Sequence, residues 1–280
     1  MIKIIADTTC GVPVSQLEEA GIAVLPQIIT FGEEAYRDDT EINSETFLKK
    51  LADSKELPKT AAPPPVFYTP IYERILSAGD SALVITPSQK LSGTYRSAMV
   101  AAEEFKSDRI HVLDTQTIAG GLGVLVLLAK EWADAGMGME DLKHNIAEMA
   151  SRERVYFLVP TLEYLYKGGR IGGASRLFGT ILQIKPILTI KEGQIEPFDR
   201  VRTFKQALAN IEEMDYQICL NNPDAHLTLS HCGSEEEVKL LQDSLCSRLN
   251  IPSIPNYIIP PAIIVHVGPG LIETSCFVGK

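Results

Sequence analysis

Apolar runs and polar breaks alternate along the first half of the chain in a way that predicts strand, turn and helix in repetition. Ile2–Ile5 is a short apolar run ending in Asp7-Thr8-Thr9-Cys10-Gly11, a polar turn, before an acidic helix over 15–20. Residues 22–29 predict a second strand, residues 31–34 a turn, and residues 44–52 an amphipathic helix capped by Ser44, with Phe47, Leu48 and Leu51 on one face. Leu83-Val84-Ile85, the breaker cluster Thr86-Pro87-Ser88 and Leu91-Ser92-Gly93-Thr94-Tyr95 lead into a helical stretch over 96–102. That pattern reads as strand, loop, helix. Residues 109–115 give a third buried strand, 118–136 a helix so apolar that it must be covered on most sides, and 139–150 an amphipathic helix with Leu142, Ile146 and Met149 in register.

These strands lack a polar face of period two, which argues for a parallel sheet covered on both sides. Residues 1–153 are therefore expected to be an α/β domain, its sheet sandwiched by helices and its strand-end loops rich in hydroxyls. Leu57–Pro65 holds four prolines and predicts a stiff extended path, which a linker would share. A helix over 66–76 follows. Beyond residue 153 the pattern changes: a strand at 156–159, a short helix at 162–165, a glycine-dense loop over 167–173, a helix over 177–184 and a hairpin over 185–196. Helices over 203–216 and 235–248, with strands near 225–230, 257–259 and 263–265, complete an α+β domain with a mixed sheet over 154–280.

Composition narrows the function classes. The chain has 280 residues, 45% of them hydrophobic and 22% charged, enough for a sizeable core. A formal net charge of −10 makes nucleic acid an unsuitable partner. The five cysteines are scattered, with no CxxC spacing, and read as reduced thiols of a cytoplasmic protein. The apolar N-terminal run is too short for a signal peptide, and the longest apolar run stops at Lys130, short of a membrane span. Membrane contact is expected to be transient and confined to the surface.

The candidate chemistry is a set of neutral hydroxyls with a cation and a ring. Ser92 and Thr94 flank Gly93 at the carboxyl end of a strand, where open α/β sheets bind ligands; an N-cap would use the same residues. Arg170 stands among glycines, and His266 closes an apolar strand before Gly268-Pro269-Gly270. With Thr60 these residues form an anion-friendly group without an acidic member, suited to a carboxylate. Ser92 lacks the Gly-x-Ser-x-Gly frame of a hydrolase elbow, and HExxH, CxxC and DxDxDG are missing. The glycine loop fits neither phosphate-binding pattern, and a lid or a tight helix entry suits it better. Asp38 and Asp39 read as a solvated turn in preference to a metal pair, and His111 as a core histidine. No cofactor or metal is expected.

In order along the chain stand Asp7-Thr8-Thr9, Lys59-Thr60-Ala61-Ala62-Pro63, Leu91-Ser92-Gly93-Thr94-Tyr95, Val112-Leu113-Asp114-Thr115, Leu162–Ile171, Lys185-Pro186-Ile187-Leu188, Arg202-Thr203 and His266-Val267-Gly268-Pro269-Gly270. As an ordered set these stretches resemble the DegV family of bacterial fatty-acid-binding proteins. The resemblance implies a two-domain α/β protein that holds one long-chain fatty acid, such as palmitate, in an apolar tunnel, with residues 154–280 closing the lipid cleft. It implies that Thr60 and Ser92 bind the carboxylate, with Thr94 and His266 close by and Arg170 bracing the site. The family usually has Ser-Gln-Pro where this chain has Ala61-Ala62-Pro63, Ser at Thr8 and Thr at Val267. The resemblance also raises a role as the non-catalytic binding subunit of a fatty acid kinase. In that reading Arg200, Arg202 and Lys205 are candidates to face the kinase or anionic lipid, with a solvated helix start as the plain alternative. The rival is an enzyme, a phosphotransferase or hydrolase using Ser92 and His266 on a small acidic substrate.

Overall fold

The computed structural model describes residues 1–179, 184–220 and 222–279. They divide into two compact units, one of Met1–Ser151 with Pro260–Ala262, the other of Arg152–Ile259 with Ile263–Lys280.

The first unit holds β1 (Ile2–Asp7), α1 (Val14–Glu19), β2 (Ala23–Leu25), β3 (Ile28–Phe31), β4 (Glu34–Arg37), α2 (Ser44–Asp53) and β5 (Lys59–Ala61). It continues through α3 (Pro65–Ser77), β6 (Ser81–Thr86), α4 (Thr94–Phe105), β7 (Ile110–Asp114), α5 (Ala119–Asp134) and α6 (Met139–Ser151). The strands β2-β1-β6-β7 form a wholly parallel sheet. Alternation across β1 and β6 sends Ile5, Ala82 and Val84 toward Tyr68 and Tyr72 of α3 and Ala98 and Ala101 of α4. Ile4, Leu83 and Ile85 are buried on the opposite side, where α5 packs. Both faces are thus apolar and covered, as the missing period of two requires. Gly123 sets the depth of α5: a Cβ there would lie 2.6 Å from the Cys10 carbonyl oxygen and 2.7 Å from Val12.

The apolar run over 22–29 is not one strand. Pro26 has no donor for a ladder, and the chain leaves the parallel sheet there to begin a separate antiparallel sheet, β4-β3-β5. Lys59–Ala61 of the proline-rich stretch is the third strand of that sheet, in which Thr60 pairs with Ile29. Pro65 then opens α3 at its first position. The α2 cap is Asn43, not Ser44: its side chain accepts from the Thr46 N–H, while the Thr46 hydroxyl accepts from the Asn43 N–H. His111 is half-buried on the edge strand β7 and lies outside the core.

The second unit comprises β8 (Glu153–Leu158), α7 (Glu163–Lys167), β9 (Lys185–Lys191), β10 (Gln194–Val201), α8 (Phe204–Cys219), β11 (Thr228–Cys232), α9 (Glu235–Leu249), β12 (Asn256–Ile258), α10 (Pro261–Val267) from Ile263 onward and β13 (Leu271–Phe277). Its sheet runs β10-β9-β8-β13-β11-β12, antiparallel except for β11 with β12. One face, with Tyr156, Leu158, Ile187, Leu229 and Ile272, packs on α8 and α9. The expected helix over 177–184 ends on residues 180–183, which lie outside the described ones; before them Gly172–Leu177 forms a 3-10 turn.

The segment expected to be a strand at 263–265 is the helix α10. Pro261 starts it, Gly268 at φ +76° stops it, and the Gly268 N–H donates to the Ile264 carbonyl at 2.8 Å. Its residues Pro261–Val265 and Val267 are buried, so packing overrides the β-branched preference of Ile-Ile-Val. The strand that closes the chain is β13 instead.

Candidate functional site

The carboxyl ends of the parallel strands carry buried polar side chains, Asp7 at the end of β1 and Thr8 after it, Thr86 at the end of β6 and Thr115 after β7. Asp7 is the centre of this group. Its Oδ1 accepts from the Thr9 N–H at 3.0 Å and from the Thr9 hydroxyl. Its Oδ2 accepts from Gln27 Nε2 at 2.6 Å and from the Thr94 hydroxyl at 2.6 Å. Gln27 Nε2 also donates to Thr94 Oγ1 at 3.0 Å. Thr94 Oγ1 and Ser92 Oγ are 2.9 Å apart, and the Thr94 N–H donates to Ser92 Oγ at 3.2 Å.

The structure therefore places Ser92 and Thr94 together and ties both to a carboxylate, so the hydroxyl set does have an acidic member. Gly93 is the N-cap position of α4 without a side-chain cap bond, so the capping reading of Ser92 holds only through the short turn to Thr94. A Cβ on Gly93 would come within 3.4 Å of the Ala62 side chain, and the Ser97 hydroxyl donates to the Pro63 carbonyl. The segment bearing Thr60 is thus pinned against the start of α4. Thr60 itself is half-buried on β5.

A second carboxylate supports the first. Asp38 is 9% exposed; it accepts from the Thr8 hydroxyl at 2.8 and 2.9 Å and from the Gln27 N–H at 2.8 Å. Burial pushes it up to about 7, against the pull of those donors, with Asp7 and Asp39 raising it further. Asp7 is also raised by burial, opposed by Thr9, Thr94 and Gln27. The reading of Asp38-Asp39 as a solvated turn fails for Asp38, and Asp39, its side chain 9% exposed, pairs with Arg37 at 2.6 Å. Among the described residues no group of three or more His, Cys, Asp or Glu could hold a metal ion.

Gln27 escapes the sequence reading, and Asp38 enters it only as part of a solvated turn. Gln27 is one polar residue in an apolar run, a signal that was present but is shared by any solvent-facing strand residue. Asp38 is marked only by a neighbouring acid, and its burial depends on the distant Thr8.

In the second unit, Arg170 Nη1 donates to the Gly168 carbonyl at 2.7 Å, and the Arg170 N–H donates to the Leu165 carbonyl at 3.0 Å. His266, near the end of α10, lies so close to Gly168 that a Cβ there would collide with its Nδ1. Burial, and then the Arg170 charge, pull the imidazole down to about 4, so it is neutral at pH 7. Gly268 is equally tight, since a Cβ would overlap the Tyr164 ring. The glycines at 168, 172 and 173 serve close approach, to His266, to the Ile195 backbone and to Glu196 respectively, and are not the loose hinges of a lid. Arg170 and His266 are thus neighbours within this unit.

Arg200 at the end of β10, Arg202 and Lys205 are exposed. Lys205 falls in the first turn of α8, behind the Thr203 cap, where a cation opposes the helix dipole. The five cysteines are free thiols. Among the described residues no helix is long and apolar enough to cross a membrane.

Comparisons with known proteins cover nearly the whole chain. A family model described as an uncharacterised protein of the DegV family matches residues 1–277. A DegV domain-containing protein of Streptomyces coelicolor is 33% identical over 275 residues, spanning 97% of this chain and 96% of the relative. The solved structure of a DegV family protein from Thermus thermophilus, described by its fatty acid binding, is 32% identical and superposes with a TM-score of 0.92 over 99% of both chains. DegV of Bacillus subtilis, described as a fatty acid binding protein, is 29% identical with a TM-score of 0.88, again over 99% of both chains.

Proposed function

The chain belongs to the DegV family, and from that premise we propose that it binds a long-chain fatty acid such as palmitate, without turning it over. The carboxylate is held by the Thr60 and Ser92 hydroxyls and the acyl chain by an apolar tunnel. The observation that carries this reading is the likeness, over 99% of both chains, to two solved proteins described as binding fatty acids. The Ser92-Thr94 hydroxyl pair at a strand's carboxyl end supports the location of the head group. Arg170 and His266 are assigned to the ligand as well, the first as a fixed cation and the second as a neutral ring able to donate one hydrogen bond.

The rival, an enzyme using Ser92 with His266 as base, is disfavoured by the chemistry of the ring. An imidazole held near 4 is a weak base at neutral pH. Within the first unit, the acid nearest Ser92 is reached only through Thr94, so no base contacts the Ser92 hydroxyl directly.

In the finer reading the protein presents its bound carboxylate to a fatty acid kinase in the cytoplasm, or exchanges lipid at a membrane surface. Arg200 and Arg202, exposed beside the dipole-opposed Lys205, are the assigned docking residues.

Two measurements test the binding. Mass spectrometry of denatured protein purified from cells is expected to release a long-chain fatty acid; a protein that is empty and takes up no added lipid overturns the reading. Ser92→Ala is expected to lower palmitate affinity about 10- to 100-fold, the loss of one hydrogen bond to a charged group at about 1.5–3 kcal/mol. An unchanged affinity removes Ser92 from the site.

A further inference from the structure

The hydrogen bonds around Asp7 admit two proton arrangements, and they differ in what Ser92 offers a ligand. With Asp7 ionised, its four acceptor positions are filled by the Thr9 N–H, the Thr9 hydroxyl, Gln27 Nε2 and the Thr94 hydroxyl. Thr94 has then spent its only proton on Asp7. The 2.9 Å contact between Thr94 Oγ1 and Ser92 Oγ needs a proton from Ser92, and Thr94 accepts it alongside the one from Gln27. Half-buried Ser92, at the end of this chain, is left with a lone pair, which repels a carboxylate.

With a proton on Oδ2, every arrow reverses. Asp7 donates to Thr94, Thr94 donates to Ser92, and the Ser92 proton is released to donate outward, while Gln27 and Thr9 keep their partners. Resting on the fatty-acid reading above, we infer that Asp7 is a positioning residue which, by taking up a proton, turns the chain Asp7–Thr94–Ser92 into a donor toward the ligand carboxylate, so that ligand and proton bind together.

The surroundings of Asp7 fit this role. It is 1% exposed, and burial raises its carboxyl, the direction that favours the protonated form, against the pull of Thr9, Thr94 and Gln27. The titratable groups facing it are Cys10 after β1, Asp38 after β4 and Tyr68 of α3; Thr9, Gln27 and Thr94 complete the shell. Cys10 is pushed up to about 12 and Tyr68 higher still, so both stay neutral at pH 7. Asp38 is pushed up to about 7 by burial, and the Asp7 charge raises it further. Among these described groups there is no cation to hold Asp7 ionised.

Palmitate affinity should be measured from pH 6.5 to 9 for the wild type, Asp7→Asn, Thr94→Val and Asp38→Asn, with thermal unfolding as the check of fold. Ratios between proteins cancel the titration of the ligand itself. The amide introduced by Asp7→Asn can donate to Thr94 at every pH, with Gln27 turning its own amide over, so this variant is expected to match the wild type at low pH. As pH rises through the window of Asp7, the wild type should weaken relative to it by up to about tenfold per unit, the limit for one linked proton. Thr94→Val cuts the relay while leaving Asp7 in place, and its affinity should likewise lose this pH dependence; it carries the test if Asp7→Asn does not fold. Asp38→Asn should keep the dependence. A wild-type to Asp7→Asn ratio that is constant with pH, or a dependence lost only in Asp38→Asn, overturns the relay and leaves fatty-acid binding standing. Absence of palmitate binding by the wild type at every pH overturns the binding reading, and the relay with it.

Discussion

Shortening the acyl chain from sixteen to ten carbons is expected to cost about three orders of magnitude in affinity. Each methylene moved from water into an apolar wall contributes about 0.8 kcal/mol, so six contribute about 5 kcal/mol, and every 1.4 kcal/mol is tenfold. A full sixteen-carbon tail contributes on the order of 12 kcal/mol gross by the same rule, against about 1.5–3 kcal/mol for each carboxylate hydrogen bond. On the proposed reading the tail therefore holds the ligand and the Ser92 cluster orients it. Displacement of a fluorescent fatty acid by saturated acids of increasing length measures the slope directly. The same series separates the carrier from its rival, because an enzyme acting on a small acidic substrate gains its affinity from the head group. A flat dependence on chain length sinks the carrier.

The division of labour also bears on the thinner polar set of this chain. Ala61 on β5 and Ala62, against Gly93, follow Thr60 and bring no hydroxyl. On the proposed reading, a segment without hydroxyls there affects the orientation of the head group more than the residence of the tail. Ser92 and Thr94 gain weight accordingly, and so does the Asp7 carboxylate on which Thr94 depends.

The parallel sheet was legible because its signal is local: unbroken apolar runs at Ile4-Ile5 and Leu83-Val84-Ile85, each followed by hydroxyls, need no partner to be recognised. The helix α10 was not, since Ile263-Ile264-Val265 has a strand's composition and becomes helical through burial on all sides and the Pro261 and Gly268 ends. The antiparallel sheet β4-β3-β5 was hidden for a related reason. Its third strand lies in a proline-rich segment, and only the pairing of Thr60 with Ile29, thirty-one positions away in sequence, makes that segment a strand. At the site, Ser92 and Thr94 were readable from the loop they share. What the residues did not convey is direction: the hydroxyl of Thr94 meets an acid 87 positions earlier in sequence, and Gln27 and Asp38 join the network only through Asp7 and Thr8 at the end of β1.

Replacing Asp215 by Asn is expected to raise stability by up to about 4 kcal/mol at pH 8 and to change it little at pH 4, at about 1.4 kcal/mol for each unit of a shifted carboxyl. Asp215 lies on α8, fully buried, with the Cys276 thiol of β13 at 3.8 Å from Oδ1. Burial raises its carboxyl to about 7, against the pull of Thr274 and Cys276. A carboxyl raised in the folded state binds its proton more tightly there than in the unfolded chain, near 3.8. Its protonated form is thus compatible with folding below about 3.8, and stability is lost as pH climbs from there through about 7. The amide that replaces it carries no charge to ionise, so that part of the decline disappears. Asp38, raised to about 7 in the first unit, contributes a slope of the same sign, which Asp215→Asn leaves in place. Denaturant unfolding of both proteins at pH 4, 6 and 8 reads the difference. Equal stabilities at pH 8, or a variant less stable there than the wild type, would show that Asp215 is ionised at little cost in the folded protein, through a partner for its charge stronger than the Thr274 hydroxyl and the Cys276 thiol.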